Sequence, residues 1–215
     1  FYQKTGTAKF ALKDYEGASK ALSIVVEKRI KDKDVFRMLG LSYAQLGNCT
    51  EAKNSLTAAV SMGAKDKDVY SQLGICQFKS KDYKGSVESL TQAINAGSNT
   101  QEVFLYKGYA GYWQKDYDNA LRDLEKSVSM GAKEAEAHKY IADIKFLKSD
   151  FAGAIKEYDI AEKAGANDAV LFNNRGKSKM NTNDLVGAKS DFDKAILREA
   201  SYSRAFLNRG TAKFM

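Results

Sequence analysis

Imidazole or thiolate chemistry in this chain would have to be built from His138, the sole histidine, and from Cys49 and Cys76. Their spacing serves neither a metal nor a nucleophile. Structural zinc asks for closely spaced Cys or His pairs, and a nucleophile needs a general base beside it. No second histidine, no Cys-His pair and no glycine-rich phosphate loop accompanies them. Lys-Asp neighbours such as Lys81-Asp82 and Lys115-Asp116 read as turn and cap residues, not as an acid-base pair. The expectation is no catalytic residue, no metal and no cofactor. Binding chemistry is better represented: Leu105, Tyr109, Tyr112 and Trp113 fall within nine residues, and Trp and Tyr are the types that most often carry binding energy at an interface.

A repeat positions these residues. Steps of 34 residues from Gly108 land on Gly6, Gly40, Gly74, Ala142, Gly176 and Gly210, glycine at every step but one. A fixed period of this size is the mark of a solenoid built from small identical units. With the glycine numbered as position 8, a first helix is expected to start at Asp32, Asp66, Thr100 and Asp168, whose short oxygen side chains accept from free N–H groups. It should run to about position 15. Position 16 is Asp14, Asn48, Asp82, Asp116, Asp150 and Asp184, an N-cap for a second helix in every copy. That helix carries Ala18, Ala52, Ser86, Ala120, Ala154 and Ala188 at one contact point and Leu22, Leu56, Leu90, Leu124, Tyr158 and Phe192 four residues on, one apolar stripe. Gly63, Gly97, Gly131 and Gly165 then supply the left-handed residue that ends it.

A 34-residue unit with small residues at positions 8 and 20, an aromatic at 17 and Ala at 27 (Ala59, Ala93, Ala161, Ala195) resembles the tetratricopeptide repeat family over essentially the whole chain. Two departures stand out: position 32, commonly proline, is Ala64, Ser98, Ala132, Ala166 and Ala200, and position 4, commonly Trp, is Tyr2, Phe36, Tyr70, Phe104, Phe172 and Phe206. The resemblance implies an all-α, right-handed superhelix of six antiparallel helix pairs plus a closing helix from Ser203 to Met215. Repeats are expected at about 1–32, 33–66, 67–100, 101–134, 135–168, 169–202 and, in part, 203–215, forming one array. The chain opens on Phe1 and stops at Met215 within a motif, so it is expected to be a fragment of a longer protein.

Composition narrows the partner. The net charge of +7 comes from 34 basic and 27 acidic residues that are interleaved, the pattern of a solvated helical surface and not of a nucleic-acid footprint. No apolar run approaches the roughly 20 residues that cross a bilayer, so membrane insertion is not expected.

At about 100° per residue, positions 2, 5, 9, 12 and 13 share one side of the first helix. In the resembled family that side usually lines a concave wall on which peptides lie. Leu105, Tyr109, Tyr112 and Trp113 fall there in the fourth repeat, Phe78 and Phe146 in the position-12 column, and Lys139, Asn173, Asn174 and Lys177 on inner or lateral positions nearer the C-terminus. Asp34, Asp68, Glu102 and Glu136 at position 2 form an acidic row that could select a basic ligand, though the helix dipole explains them without one. Some family members hold a chaperone's C-terminal carboxylate. Lys139 and Asn174 match that clamp and Arg204 is a basic substitute, but Asp143 and Asn208 stand where it needs Asn and Arg. His138 replaces a packing ring at position 4. The expected function is a non-enzymatic scaffold binding a peptide segment or a partner surface in its groove. The alternative is an assembly module that self-associates within a larger protein, such as a bacterial envelope or secretion component.

Overall fold

Short oxygen side chains start the helices where the repeat requires them. In the computed structural model, which describes residues 1–215, Asp32 accepts from the N–H groups of Asp34 and Val35, Asp66 from Val69, Thr100 from Val103 and Asp168 from Leu171. Glu134 takes this place in the fifth repeat without a side-chain cap. The second helices are capped by Asp14, Asp82, Asp150 and Asp184, each accepting from a glycine N–H three residues on. Asn48, the one amide in the series, makes no such bond.

Thirteen helices and no strand result. The first compact unit, residues 1–123, holds α1 (Tyr2–Ala11), α2 (Tyr15–Glu27), α3 (Lys33–Gln45), α4 (Cys49–Ser61), α5 (Lys67–Lys79), α6 (Tyr83–Asn95) and α7 (Gln101–Trp113). The second, residues 124–215, holds α9 (Ala135–Leu147), α10 (Phe151–Lys163), α11 (Ala169–Asn181), α12 (Leu185–Arg198) and α13 (Ser203–Phe214). The division falls inside α8 (Tyr117–Ser129). Within each unit, odd-numbered helices pack on the even-numbered partner that follows and on the next odd-numbered helix.

The first helix of a pair ends at position 13, two residues short of the sequence expectation. The reason lies in the turn: position 15 takes a positive φ at Lys13, Gly47, Lys81, Lys115, Ser149 and Asn183, from 60° to 78°. A left-handed residue stops the helix, and four of these six are Lys or Ser, which give no left-handed signal. At the other end of the pair the expected glycines do the work, with φ of 92°, 92°, 108° and 106° at Gly63, Gly97, Gly131 and Gly165.

Each unit is held by apolar side chains that close a pair and seal it to the next. In unit one Leu22, Leu56 and Leu90 are wholly buried, each contributing about 1.5–3 kcal/mol. They sit so close to the first helix that a Cβ on Gly6, Gly40 or Gly74 would lie 2.5 to 2.6 Å from a leucine Cγ. In unit two Phe192 takes the leucine's place against Gly176, and Tyr158 heads a cluster with Leu171 and Phe172.

Candidate ligand-binding site

The position-12 column is first of all a within-repeat contact. Phe10 meets Tyr15, Phe78 meets Tyr83 and Tyr112 meets Tyr117 in unit one, and Phe146 meets Phe151 in unit two, with ring centroids 5.8 to 6.0 Å apart. Positions 12 and 17 flank the turn, so a ring at each closes the pair over it.

Beyond this pattern, rings gather on α5 to α7. Phe78 lies 5.3 Å from Tyr106 and 5.8 Å from Tyr109. Tyr83 stacks on Trp113 at 5.7 Å with an angle of 11° between the planes, and Tyr112 meets the indole edge-on at 5.8 Å. The Gln114 amide donates to the Tyr83 carbonyl, 3.1 Å away, and so pins the end of α7 to the start of α6. Trp113 is the most open part of these rings at 50% exposed, Tyr83 and Tyr112 are partly exposed, and Tyr109 and Leu105 are only 5% and 6% exposed. Tyr109 and Leu105, expected to face a ligand, are thus buried, Tyr109 against Phe78 and Tyr106. Periodicity fixed the side of the helix they occupy, but α5 packs against that side of α7. Tyr83 was not foreseen as a site residue. Position 17 reads as a shared packing ring, and its second role follows only from the 30-residue offset to Trp113.

The residues expected to select polar groups lie in unit two, where neighbouring side chains already hold them. The Lys139 ammonium is 2.7 Å from the Asp168 carboxylate, the same side chain that caps α11. Asn173 is buried, donates to Asn174 at 3.2 Å and accepts from Asn208 at 2.8 Å. Asn174 and the Tyr158 hydroxyl both donate to Asp143, at 3.2 and 2.5 Å. Lys177 lies over the Phe146 ring, 5.2 Å from its centroid. Burial pushes the Asp143 carboxyl above the ordinary range, against the opposing effect of those two hydrogen bonds. The row is a ladder of satisfied side chains on α9, α11 and α13, with Asp143 as its acceptor, and an incoming carboxylate would meet that acid.

His138 is buried, as its packing position requires, but it is held by an acid: Nδ1 lies 2.8 Å from Glu157, which also binds Lys145 at 3.1 Å. Arg175 gathers three acids. Its guanidinium is forked onto Asp191 at 2.9 and 2.7 Å and also reaches Asp159 at 2.8 Å and Glu162 at 2.6 Å. Burial alone would lower its pKa, and the bonds to Asp191 and Glu162 more than reverse that. The signal lies in the columns: positions 7 and 23 are Lys107 and Asp123 in the fourth repeat and Arg175 and Asp191 in the sixth, where the second and third repeats pair Leu with Ser. Lys107 and Asp123 meet at 2.6 Å in the same way. No group of three or more His, Cys, Asp or Glu is placed to hold a metal ion. No helix is long and apolar enough to cross a membrane.

Comparison with known proteins agrees with this architecture. The sequence profile described as tetratricopeptide repeat matches residues 37–100 and 107–169, more than half of the chain. No curated protein sequence matches. Among solved structures, YrrB, described as a TPR protein with an unusual peptide-binding site, superposes with a TM-score of 0.72 at 17% identity, over 92% of this chain and 100% of its own. PilF of Pseudomonas aeruginosa gives 0.66 at 16% identity over 98% and 96%. A D159K mutant of MamA gives 0.70 at 21% over 78% and 97%. At these identities the likeness is one of fold. With the glycine-leucine contacts, the capped helix pairs and the profile match all in one register, the chain belongs to the tetratricopeptide repeat family.

Proposed function

We propose that the chain is a non-enzymatic scaffold working as one array of repeats, and that the ring surface of unit one takes an extended peptide segment of a partner protein. Trp113, Tyr83 and Tyr112 are the contact residues, and Phe78, Tyr109 and Leu105 are their support. The observation that carries this reading is the half-exposed indole stacked on Tyr83 at 5.7 Å. A large ring held rigid by neighbours loses little freedom on binding, so most of its contact area is available as affinity. Asp68 and Glu102, exposed in the first turns of α5 and α7, add negative charge to this unit and so favour a segment that also carries Lys or Arg. The fold likeness to YrrB supports the ligand class, since that protein is described as having a peptide-binding site.

Selection from a random peptide library on the intact chain tests the reading. Sequences enriched on the wild type should not be enriched on a Trp113→Ala, Tyr83→Ala variant that keeps its helical circular dichroism. Equal enrichment on both would move the site elsewhere.

A second reading, self-association, draws on Val186 and Leu197 of α12, which are 85% and 80% exposed. Light scattering that shows a concentration-dependent multimer abolished by Leu197→Lys would favour it. A monomer at all concentrations would remove it.

A further inference from the structure

Two thiols meet where the repeat pattern is broken. Position 17 is Tyr15, Tyr83, Tyr117 or Phe151 in four repeats, each against the position-12 ring of its own repeat. The second repeat instead has Ala44 and Cys49, which leaves the ring's place to a small side chain. Position 10 is elsewhere Ala8, Ser42, Ala110, Ile144, Ser178 or Ala212, and only the third repeat has Cys there, Cys76. These two exceptions, 27 residues apart, face each other with their sulfur atoms 2.7 Å apart. That separation approaches the bonded sulfur-sulfur length of about 2.05 Å.

We propose that Cys49 and Cys76 are a redox site, forming a reversible disulfide in the presence of a peroxide and so fastening α4 of the second repeat to α5 of the third. The two thiols have unequal surroundings. Cys76 is 1% exposed, and burial, followed by the adjacent Cys49 thiol, pushes its pKa up to about 12. Cys49 opens α4 and is only half-buried. It is therefore Cys49 that meets the oxidant, because the thiolate is the nucleophile and access decides which sulfur reacts.

The Cys49 sulfur attacks one oxygen of hydrogen peroxide. The O–O bond breaks, the departing hydroxide takes the thiol proton as water, and Cys49 becomes a sulfenic acid. The Cys76 sulfur then attacks the Cys49 sulfur, the S–O bond breaks, and the hydroxide leaves as water with the Cys76 proton. Two thiols have lost two electrons and two protons, and one peroxide has become two waters. A dithiol reverses the bond by exchange. Cys76 is positioned as the resolving thiol by the 2.7 Å between the two sulfurs, which lets it capture the sulfenic acid before a second peroxide arrives.

The test treats the reduced chain of residues 1–215 with an equimolar amount of hydrogen peroxide, followed by alkylation and peptide mapping by mass spectrometry. The expected result is loss of both free thiols, a Cys49–Cys76 cross-linked peptide from monomeric protein, return of both thiols with dithiothreitol, and a melting midpoint several degrees above that of the reduced form. Cys76→Ser should stop at a sulfenic acid on Cys49 that a 1,3-dione traps. Persistence of both thiols, sulfinic acid on Cys49 with Cys76 still free, or a disulfide joining two chains would each overturn the proposal. The mapping on wild-type protein decides this whether or not the variant folds.

Discussion

At the scale of the residue, Asp143 shows how an inner-wall position can be polar and still closed. Its carboxyl is buried beneath Tyr158 and Asn174, and burial holds its pKa above the unfolded value. A raised folded pKa contributes stability that is fully present below the unfolded value and lost as pH rises through the folded one. Asp143→Asn keeps an acceptor for both donors and removes the buried charge. We expect urea denaturation to show the variant more stable by about 1 kcal/mol near neutral pH, with the gain fading as pH falls through the raised folded pKa and absent below about pH 4, the unfolded value. A variant less stable than wild type at neutral pH would mean that the carboxylate's two hydrogen bonds outweigh its burial. Trp113 is the opposite case: exposed, yet fixed by Tyr83 and Tyr112. The side of the helix on which both residues lie was legible in the sequence, because rotation per residue is fixed. Their depth was not, because it depends on which neighbouring helix covers that side.

At the scale of the element, two devices tie helix to helix. The first is steric. A methyl group on Gly74 would lie 2.6 Å from Leu90 Cγ and 3.1 Å from the Leu90 backbone nitrogen, so the pair α5 and α6 can close only on glycine. Gly74→Ala is expected to lower stability by about 1–3 kcal/mol, the usual cost of overpacking, measured as an earlier urea midpoint. No loss would show that the pair can slide apart without penalty. The second device is ionic. Arg175 binds acids on α10 and α12 at once, with Asp191 itself buried and also held by Lys179 at 2.8 Å. Removing one partner of a buried pair strands the other, so Arg175→Ala should cost about 3 kcal/mol or more. Arg175→Lys should recover less than half of that, since an ammonium cannot reproduce the fork onto Asp191. Full recovery by lysine would make charge, and not geometry, the cause. The helix pairs, their caps and their glycine stops were readable from the period alone. The left-handed lysines at position 15 were not, because their φ is imposed by the packing of the pair and not by residue type.

At the scale of the whole molecule, the repeat explains both what could be read and what could not. Every copy solves the same packing problem, so residues that obey their column report architecture, and residues that break it report something specific to their place. Trp113 breaks its column, as do Cys49, Cys76 and Arg175. Sequence reasoning singled out the first from residue type. It missed the contacts of Arg175 and the meeting of the two cysteines because these couple columns that lie on different helices, and it placed Lys139 as an open donor when Asp168, 29 residues on, already holds it. Gln3 and Asp32 show the same 29-residue coupling at 2.8 Å.

The central claim, that the surface around Trp113 binds peptide, can be tested with the chain's own optics, since Trp113 is the sole tryptophan. A peptide selected on the wild type should shift or quench its emission saturably on titration, with a midpoint equal to the dissociation constant from calorimetry, and Tyr83→Ala should weaken both about tenfold. Calorimetric binding with no change in Trp113 emission would contradict the account and place the ligand on another surface.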